Sequence, residues 1–477
     1  MVKINKMIAK KLTLLLQTFS SNEHTQFRKY LLSPFFNENK TLLKLYDIFA
    51  KNLKARQPFT DKNAIWSRLC PKLAYNDVRF RKYCSDLTRL GENFLIYYEF
   101  DTNEVGKNIH LLRSLNKRQL DQHFSAKETK TRRTIEALSH RDINYHLQYF
   151  LLENEVDKFQ IRRIKRTNKI TLEDFDQSLD NFYLTQKLKN YCNSLNYKNI
   201  VNKDFEIGFI QLFINELNKD IETRPPSVQV YYQVMLTLSE IEDETHFYRL
   251  REVLNTHGDL FPQPELRDLY IFAQNYCIKK INTGKKEYFK QLFDIYNTLL
   301  EKGTIFNNGE LLPWDFKNMV AVGLRIGEFD WIENIIRKYS DHLPDDFREN
   351  AITYNLATVY FYKREYDKVI ELLREVEYQD LYYAMDGKWL LIKTYYELDE
   401  PEPMEALLES FRIFLLRNKL ISKVKERQYL NLIRFVKKMN QLPYNSQQAA
   451  QKLQKKIEES GAVADKKWLL EKIEIYL

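Results

Sequence analysis

The sequence predicts an all-α protein, and three observations on its composition and patterning support that prediction. The chain of 477 residues has 11 glycines and 12 prolines, too few for an all-β fold, which needs a tight turn every ~8 to 12 residues. Apolar residues make up 44% of the chain, which is enough for a buried core. They recur mainly at three- and four-residue spacing, and no window alternates long enough to predict a strand.

The first predicted helices lie in residues 1–102, an N-terminal basic helical region. Ser20 and Glu23 have the spacing of a capping box, in which each side chain satisfies an unpaired backbone N–H at the start of a helix. This helix should end near Ser33, because Pro34 disfavours the helical conformation of the residue before it.

Two further helices are predicted at 61–69 and 77–100, with Thr60 and Asn76 as N-caps. Together they loosely suggest a helix-turn-helix. In that interpretation the side chains approaching DNA would be Arg79, Arg81, Lys82 and Arg89. The connection CPKLAYN is longer than the ~3 to 4 residues of that motif, and packing of two bundle helices explains the same residues more simply.

Residues 103–224 are predicted to form long helices that carry a basic stripe within the segment DKFQIRRIKRTNKI. At ~100° per residue, most of its cations fall within an arc of about 100°. The cations of this segment are Lys158, Arg162, Arg163, Lys165, Arg166 and Lys169. They could bind a phosphate backbone. The alternatives are docking against the acidic middle of the chain and plain solvation.

The charge is distributed unevenly along the chain. Residues 1–104 have 18 basic and 10 acidic residues, and residues 105–170 have 15 and 7. Residues 171–411 have 26 basic and 42 acidic residues, whereas residues 412–477 have 15 and 6. This asymmetry indicates either a surface for nucleic acid or another partner, or contact between parts of the same protein.

Residues 225–477 have prolines between apolar-periodic segments, where proline suits the first turn of a helix. Within 316–411 one helix-pair pattern can be laid over the chain three times. Leu356 follows Met319 by 37 residues, and Leu391 follows Leu356 by 35. The pattern positions are Gly327, Phe329, Ile332, Ile336 and Pro344, then Leu356, Ala357, Tyr360, Tyr366, Val369 and Leu373, then Leu391, Ile392, Tyr395 and Ala406.

These positions resemble tetratricopeptide repeats, whose period is ~34 residues. The resemblance covers about a fifth of the chain and implies a right-handed α-solenoid that serves as a protein interaction scaffold. The segment LLIKTYYELDEPEPMEALLESFRIFLLRNKL also resembles repeat proteins of Bacteroidetes-type genomes, which implies no particular activity. A final amphipathic helix with Trp468, Leu469, Ile473 and Leu477 could close the last repeat face.

In tetratricopeptide proteins the first helix of each pair lines a groove, and some members bind carboxylates there with Lys, Asn and Arg. Carried over by position, the groove residues would be Lys317, Asn318 and Arg325, then Tyr354, Asn355 and Tyr362, then Lys393 and Tyr396. Such a groove suits an extended peptide with an acidic terminus or acidic side chains. Trp389 and Leu390 depart from that pattern, because they occupy positions that are polar in the carboxylate-binding members. Ordinary polarity of a helix surface is the simpler explanation of the groove residues.

No catalytic or metal-binding motif is present. The chain has no Gly-rich loop followed by Lys-Ser or Lys-Thr, no His-Glu-x-x-His and no Gly-x-Ser-x-Gly. His140 and His146 are six residues apart and therefore on different helix faces. No enzymatic activity, cofactor or metal is expected.

The sequence also predicts a soluble, cytoplasmic protein. No apolar run approaches the ~18 residues of a membrane span, and the run Leu14 to Leu16 is too short for a signal peptide. The four cysteines are far apart and are interpreted as buried hydrophobes in a reducing compartment. The leading functional hypothesis is an adaptor that binds a protein or peptide. The alternative is nucleic-acid binding through the basic stripe, and the sequence does not determine the oligomeric state.

Overall fold

The computed structural model describes residues 8–55, 61–163, 172–201, 208, 210–374, 381–443 and 447–477. The regular structure of these residues is helical, and an isolated bridge between Asn307 and Glu310 is the one β pairing recorded among them. The all-α prediction is therefore confirmed. Within the same ranges, no helix is both long and apolar enough to cross a membrane. The chain forms two compact units, Met1–Leu184 and Thr185–Leu477.

The first unit begins with eight helices. They are α1 Lys10–Gln17, α2 Ser21–Leu32, α3 Lys40–Lys54, α4 Lys62–Leu69, α5 Asp77–Thr102, α6 Glu104–Lys117, α7 Asp121–Glu136 and α8 Ile143–Arg163. A ninth helix, α9 Leu172–Val201, contributes its first residues to this unit and its residues from Thr185 onward to the second.

Side-chain caps start the N-terminal helices where the sequence predicts them. Ser20 accepts a hydrogen bond from the backbone N–H of Glu23, and the Glu23 carboxylate accepts one from that of Ser20. The helix ends at Leu32, next to the predicted stop. Asn76 caps α5. Thr60 lies outside the described residues, and Asp61 caps α4.

Two hydrophobic clusters form the core of the first unit. The cluster of α1 to α5 has Phe27, Phe49 and Phe94 among its members, and it includes both Trp66 of α4 and Phe80 of α5, as the bundle interpretation of these two helices predicts. The cluster of α6 to α8 is separate. Its Phe124 and Phe159 rings stack with their centroids 4.0 Å apart.

The second unit is also helical. Its helices are α10 Ile210–Asp220, α11 Pro226–Ser239, α12 Thr245–His257, α13 Gln263–Asn282, α14 Tyr288–Glu301, α15 Pro313–Ile326, α16 Phe329–Tyr339, α17 Asp345–Tyr362, α18 Tyr366–Arg374, α19 Leu381–Glu397, α20 Pro401–Arg417, α21 Lys423–Asn440, α22 Gln447–Glu459 and α23 Lys466–Ile473. Pro226, Pro313 and Pro401 begin helices, as their spacing predicts.

Consecutive helices of this unit pack in pairs: α11 with α12, α13 with α14, α15 with α16, α17 with α18, and α19 with α20. The three pattern copies in the sequence correspond to the last three pairs. The first helix of one pair also lies against that of a neighbouring pair, since α13 contacts α11 and α17 contacts both α15 and α19. We call the surface formed by α9 from Thr185 onward and by α11, α13, α15, α17 and α19 the first-helix face.

A glycine allows the two helices of the α15/α16 pair to approach closely. A Cβ atom on Gly323 would lie 2.7 Å from Cγ1 of Ile332, a buried residue of α16. Gly327 follows the last helical residue and has a φ of 81°, a conformation that favours glycine.

The C-terminal helices belong to the core of the last pairs. Trp468, Leu469 and Ile473 of α23 are buried in the same hydrophobic cluster as Phe411 of α20 and Val436 of α21. Leu477 is 39% exposed and lies outside this cluster.

Candidate functional site on the first-helix face

A series of ion pairs connects the first helices to one another and connects the last of them, α19, to the residue that precedes α23; we call this series the ion-pair ladder. Each rung joins a cation of one helix to a carboxylate that lies further along the chain. The rungs are Lys189 to Glu265 at 2.7 Å, Arg267 to Asp315 at 2.7 Å, Lys317 to Asp386, and Lys393 to Asp465 at 3.1 Å. These side chains are between 9% and 37% exposed, so water screens the pairs less than it screens surface ion pairs.

Two rungs span an intervening helix, and that helix supplies a tyrosine beneath the cation. Lys189 Nζ lies 5.9 Å from the centre of the Tyr231 ring of α11. Lys317 Nζ lies 5.1 Å from the centre of the Tyr354 ring of α17. Both distances allow a cation–π interaction. The cation of these rungs is therefore held by a ring as well as by a carboxylate.

The carboxylates of the ladder also accept hydrogen bonds from other helices. The Tyr231 hydroxyl donates to Glu265. The Tyr429 hydroxyl of α21 donates to Asp386 at 3.2 Å, and the indole N–H of Trp389 donates to Asp465 at 2.9 Å. A carboxylate with several donors in a poorly hydrated site is well satisfied without any external ligand.

Burial and charge affect the ladder carboxylates differently. Burial raises the pKa of Asp315 above its usual value, although Arg267 opposes this shift. Burial also acts on Asp465, but Lys393 and the Trp389 indole outweigh it, so the pKa of Asp465 lies below its usual value. The Asp465 carboxylate is consequently a stable anion at neutral pH, held against a cation of the first-helix face.

The structure places several predicted groove residues on this face. Lys317 and Tyr354 contact each other, and Lys393 belongs to the last rung of the ladder. Asn318 and Arg325 are exposed on α15, and Tyr362 is exposed at the end of α17. Binding of a partner by these residues remains a prediction.

Asn355 differs from Asn318, although the two occupy the same repeat position. Its side chain is 1% exposed, and its amide nitrogen donates to the backbone carbonyl of Ala351 at 2.7 Å. The Asn318 side chain is exposed. Of the two asparagines, only Asn318 is therefore exposed to solvent, although its side chain also hydrogen-bonds to Tyr296.

The C-terminal helices cover the end of the first-helix face. The Trp468 ring packs against Trp389 and Tyr396 with centroid distances of 5.1 Å in both cases. Asp465, which precedes α23, forms an ion pair with Lys393. The part of α19 that was predicted to line a groove is thus covered by residues of the same chain.

The described part of the basic stripe is paired within the first unit. Lys158 lies 3.3 Å from the buried carboxylate of Glu155. Arg162 and Arg163 both contact Asp121 of α7, and both guanidinium groups lie over the Phe159 ring at 5.4 and 5.3 Å. These carboxylates come from the basic region 105–170 itself. Lys165, Arg166 and Lys169 lie outside the described residues.

The ion-pair ladder has one local signal in the sequence, which the motifs and periodicity considered above do not include. Glu265-Leu266-Arg267 and Asp315-Phe316-Lys317 each place a carboxylate two residues before a cation near the start of a first helix. In both helices the carboxylate pairs with an earlier helix and the cation with a later one. Recurrence of this triplet could have indicated a repeated polar contact.

Among the residues with described positions, no group of three or more His, Cys, Asp or Glu side chains is arranged to hold a metal ion. Comparisons of the chain with protein-family models, with curated proteins and with solved structures found no match.

Proposed function

We propose that this protein is a non-enzymatic, cytoplasmic adaptor whose first-helix face binds an extended, acidic segment of another protein. In this proposal the helix pairs form a right-handed tetratricopeptide-like solenoid and the first-helix face is its concave side. The observation that carries the proposal is a row of exposed residues along α15: Trp314, Asn318, Ala321 and Arg325.

The spacing of this row places its members on one line of the helix. Successive steps of three and four residues keep side chains on the same helix face. Trp314 is 57% exposed, and a half-exposed indole is a common anchor of protein interfaces. The row therefore offers an apolar anchor, an amide and a guanidinium to one extended ligand.

The ligand is expected to be acidic because one cation near the row, Arg325, is exposed, whereas two others are already paired with carboxylates. Lys317 and Lys393 already hold Asp386 and Asp465. Arg325 is exposed and can form a bidentate pair with an external carboxylate. The Asn318 amide can form hydrogen bonds with the backbone of an extended peptide, whose N–H and C=O groups need partners.

Selection from a library of displayed peptides on the intact protein tests this proposal. We expect enrichment of acidic peptides that contain an apolar residue, and Asn318→Ala with Arg325→Ala should weaken their binding about tenfold or more. The matched control is Asn334→Ala with Arg337→Ala, which removes the same side-chain types from exposed positions on α16.

Two results would contradict the proposal. One is an enriched peptide whose affinity is unchanged by the α15 variant. The other is a set of native partners that is captured at low salt and disappears on nuclease treatment, because nucleic acid would then connect the protein to them.

A further inference from the structure

We propose that a pocket of the first unit, between the start of α1 and one face of α5, binds a small amphipathic anion: a phosphate monoester joined to an apolar group. This site is independent of the proposed adaptor function. The pocket has a volume of about 770 Å³, and ligand sites of small molecules typically measure ~300 to 1,000 Å³.

The floor of the pocket is apolar. Ile8 and Leu12 of the first helical segment and Phe80 and Cys84 of α5 line it, and each is at most 8% exposed. Burial raises the pKa of the Cys84 thiol to about 12, although Lys62 opposes the shift. The thiol is therefore neutral at physiological pH, and the floor suits an alkyl or aromatic group better than a second charge.

The rim of the pocket is strongly basic. Five cations and a single carboxylate, that of Glu92, are among its lining residues. The cations are Lys10, Lys11, Lys62, Arg81 and Arg89. They come from three different helices, so the chain brings them together only on folding.

Acidic neighbours hold three of these cations in place but do not cover them. Asp77 pairs with Lys62 at 3.1 Å and with Arg81, and it accepts a hydrogen bond from the Tyr75 hydroxyl at 2.7 Å. Asp86 lies 3.4 Å from Arg89. The Arg81 and Arg89 side chains are still 74% and 71% exposed, so both guanidinium groups retain donors for a ligand.

The combination of rim and floor determines the ligand class. A phosphate monoester carries close to two negative charges at neutral pH and has three acceptor oxygens, which suits several converging cations better than a single carboxylate does. The Ser85 hydroxyl also lines the pocket and can donate to such a group. An apolar substituent on the ester would lie against the floor and remove its own apolar surface from water.

Calorimetric titration of the full-length protein tests the site with three probes. Hexyl phosphate has both parts of the expected ligand, inorganic phosphate has only the anion, and hexanol has only the apolar part. We expect hexyl phosphate to bind at least about tenfold more tightly than either. Equal affinities for hexyl phosphate and inorganic phosphate would overturn the proposal that the floor binds an apolar group.

A double substitution, Lys11→Gln with Arg89→Gln, should weaken hexyl phosphate about tenfold or more, because it removes two cations of the rim. Both positions are exposed, so the fold should persist, which an unchanged melting temperature would verify. The control is Lys117→Gln with Lys130→Gln, two exposed lysines of the same unit outside the pocket. Equal loss in both variants would show a nonspecific charge effect and overturn the site.

Two further probes show whether the phosphate belongs to a lipid or to a soluble ester, and whether the site prefers nucleic acid. Binding of vesicles that contain phosphatidic acid, abolished by the same substitution, would support a lipid headgroup as the ligand. Binding of hexyl phosphate without vesicle binding would support a soluble ester. An oligonucleotide that displaces hexyl phosphate and binds more tightly than it would overturn the proposal in favour of nucleic acid.

Discussion

Lys317 of α15 pairs with Asp386 of α19, and the ring of Tyr354 on the helix between them lies beneath the lysine. These two residues are separated by 69 positions in the sequence. The contact therefore ties together two first helices that are not consecutive. It gives the array a polar connection in addition to the apolar packing between neighbouring helices.

Replacing one member of this pair should lower the unfolding free energy by more than replacing both members together. Lys317→Met leaves Asp386 partly buried without its cation, and Asp386→Asn leaves Lys317 without its carboxylate. We expect each single variant to lose about 1–3 kcal/mol of unfolding free energy, since the pair is intermediate between surface and buried ion pairs. Denaturant unfolding of the two single variants and the double variant measures the coupling. Strictly additive losses would show that the pair does not contribute as a unit.

Gly323→Ala should destabilise the protein although alanine favours a helix. The new Cβ would lie 2.7 Å from the buried Ile332 and 3.2 Å from Trp331. Overpacking costs about 1–3 kcal/mol, and the gain in helix propensity is about 1 kcal/mol. Thermal unfolding should show a lower midpoint. Gly461→Ala is the control, because no heavy atom lies within 4 Å of its new Cβ; a stabilised Gly323→Ala protein would contradict the close packing of α15 on α16.

The buried His146 should make the first unit less stable in mild acid. Burial lowers the pKa of His146 to about 4; Asp142 opposes the shift and Arg141 adds to it. The unfolded chain takes up this proton near pH 6.5, whereas the folded chain resists it until about pH 4. Stability should therefore fall as the pH drops between these values, by about 2 kcal/mol at pH 5 for this group alone.

The measurement for this prediction is the unfolding free energy of the native chain and of His146→Gln between pH 7 and pH 5. The carboxylates respond alike in both proteins, so the difference between the two curves isolates the histidine. A constant difference would mean that His146 keeps the same pKa on folding.

A charge swap should show that Arg162 stabilises the first unit. Asp121→Arg places a cation beside Arg162 and Arg163, and Arg162→Glu removes one cation from the same cluster. Each single variant should lose about 1 kcal/mol, and the combination Asp121→Arg with Arg162→Glu should recover part of the loss. Urea unfolding at low salt provides the test. If the double variant is no more stable than the worse single variant, the arginine has no structural partner in Asp121.

Local features of the fold could be predicted from the sequence because local chemistry determines them. Ser20 and Asn76 cap helices through backbone groups only three residues away, and the three repeat copies coincide with three helix pairs. The orientation of Asn355 was harder to predict. An error of one residue rotates a helical side chain by ~100°, which is enough to turn a groove residue into the core.

Contacts between residues that are distant in the sequence could hardly be predicted from it. Lys393 is 72 positions from Asp465, and its partner depends on where the C-terminal helices lie. Lysines and aspartates are common on helix surfaces, so composition alone does not distinguish a rung of the ion-pair ladder from a solvated pair. Only the offset between packed helices decides which cation meets which carboxylate.

The order of charges on α13 has a consequence for modular design. Glu265 matches the cation of a preceding helix and Arg267 matches the carboxylate of a following one. A second copy of residues 263–312 inserted in tandem would lie between the original α13 and α15. Its own Arg267 would then face Asp315, and its Glu265, which has the same place in α13 that Asp315 has in α15, would face the original Arg267. The segment thus carries complementary connectors at both ends, and we expect the array to accept it as an additional module without new ion pairs having to be designed.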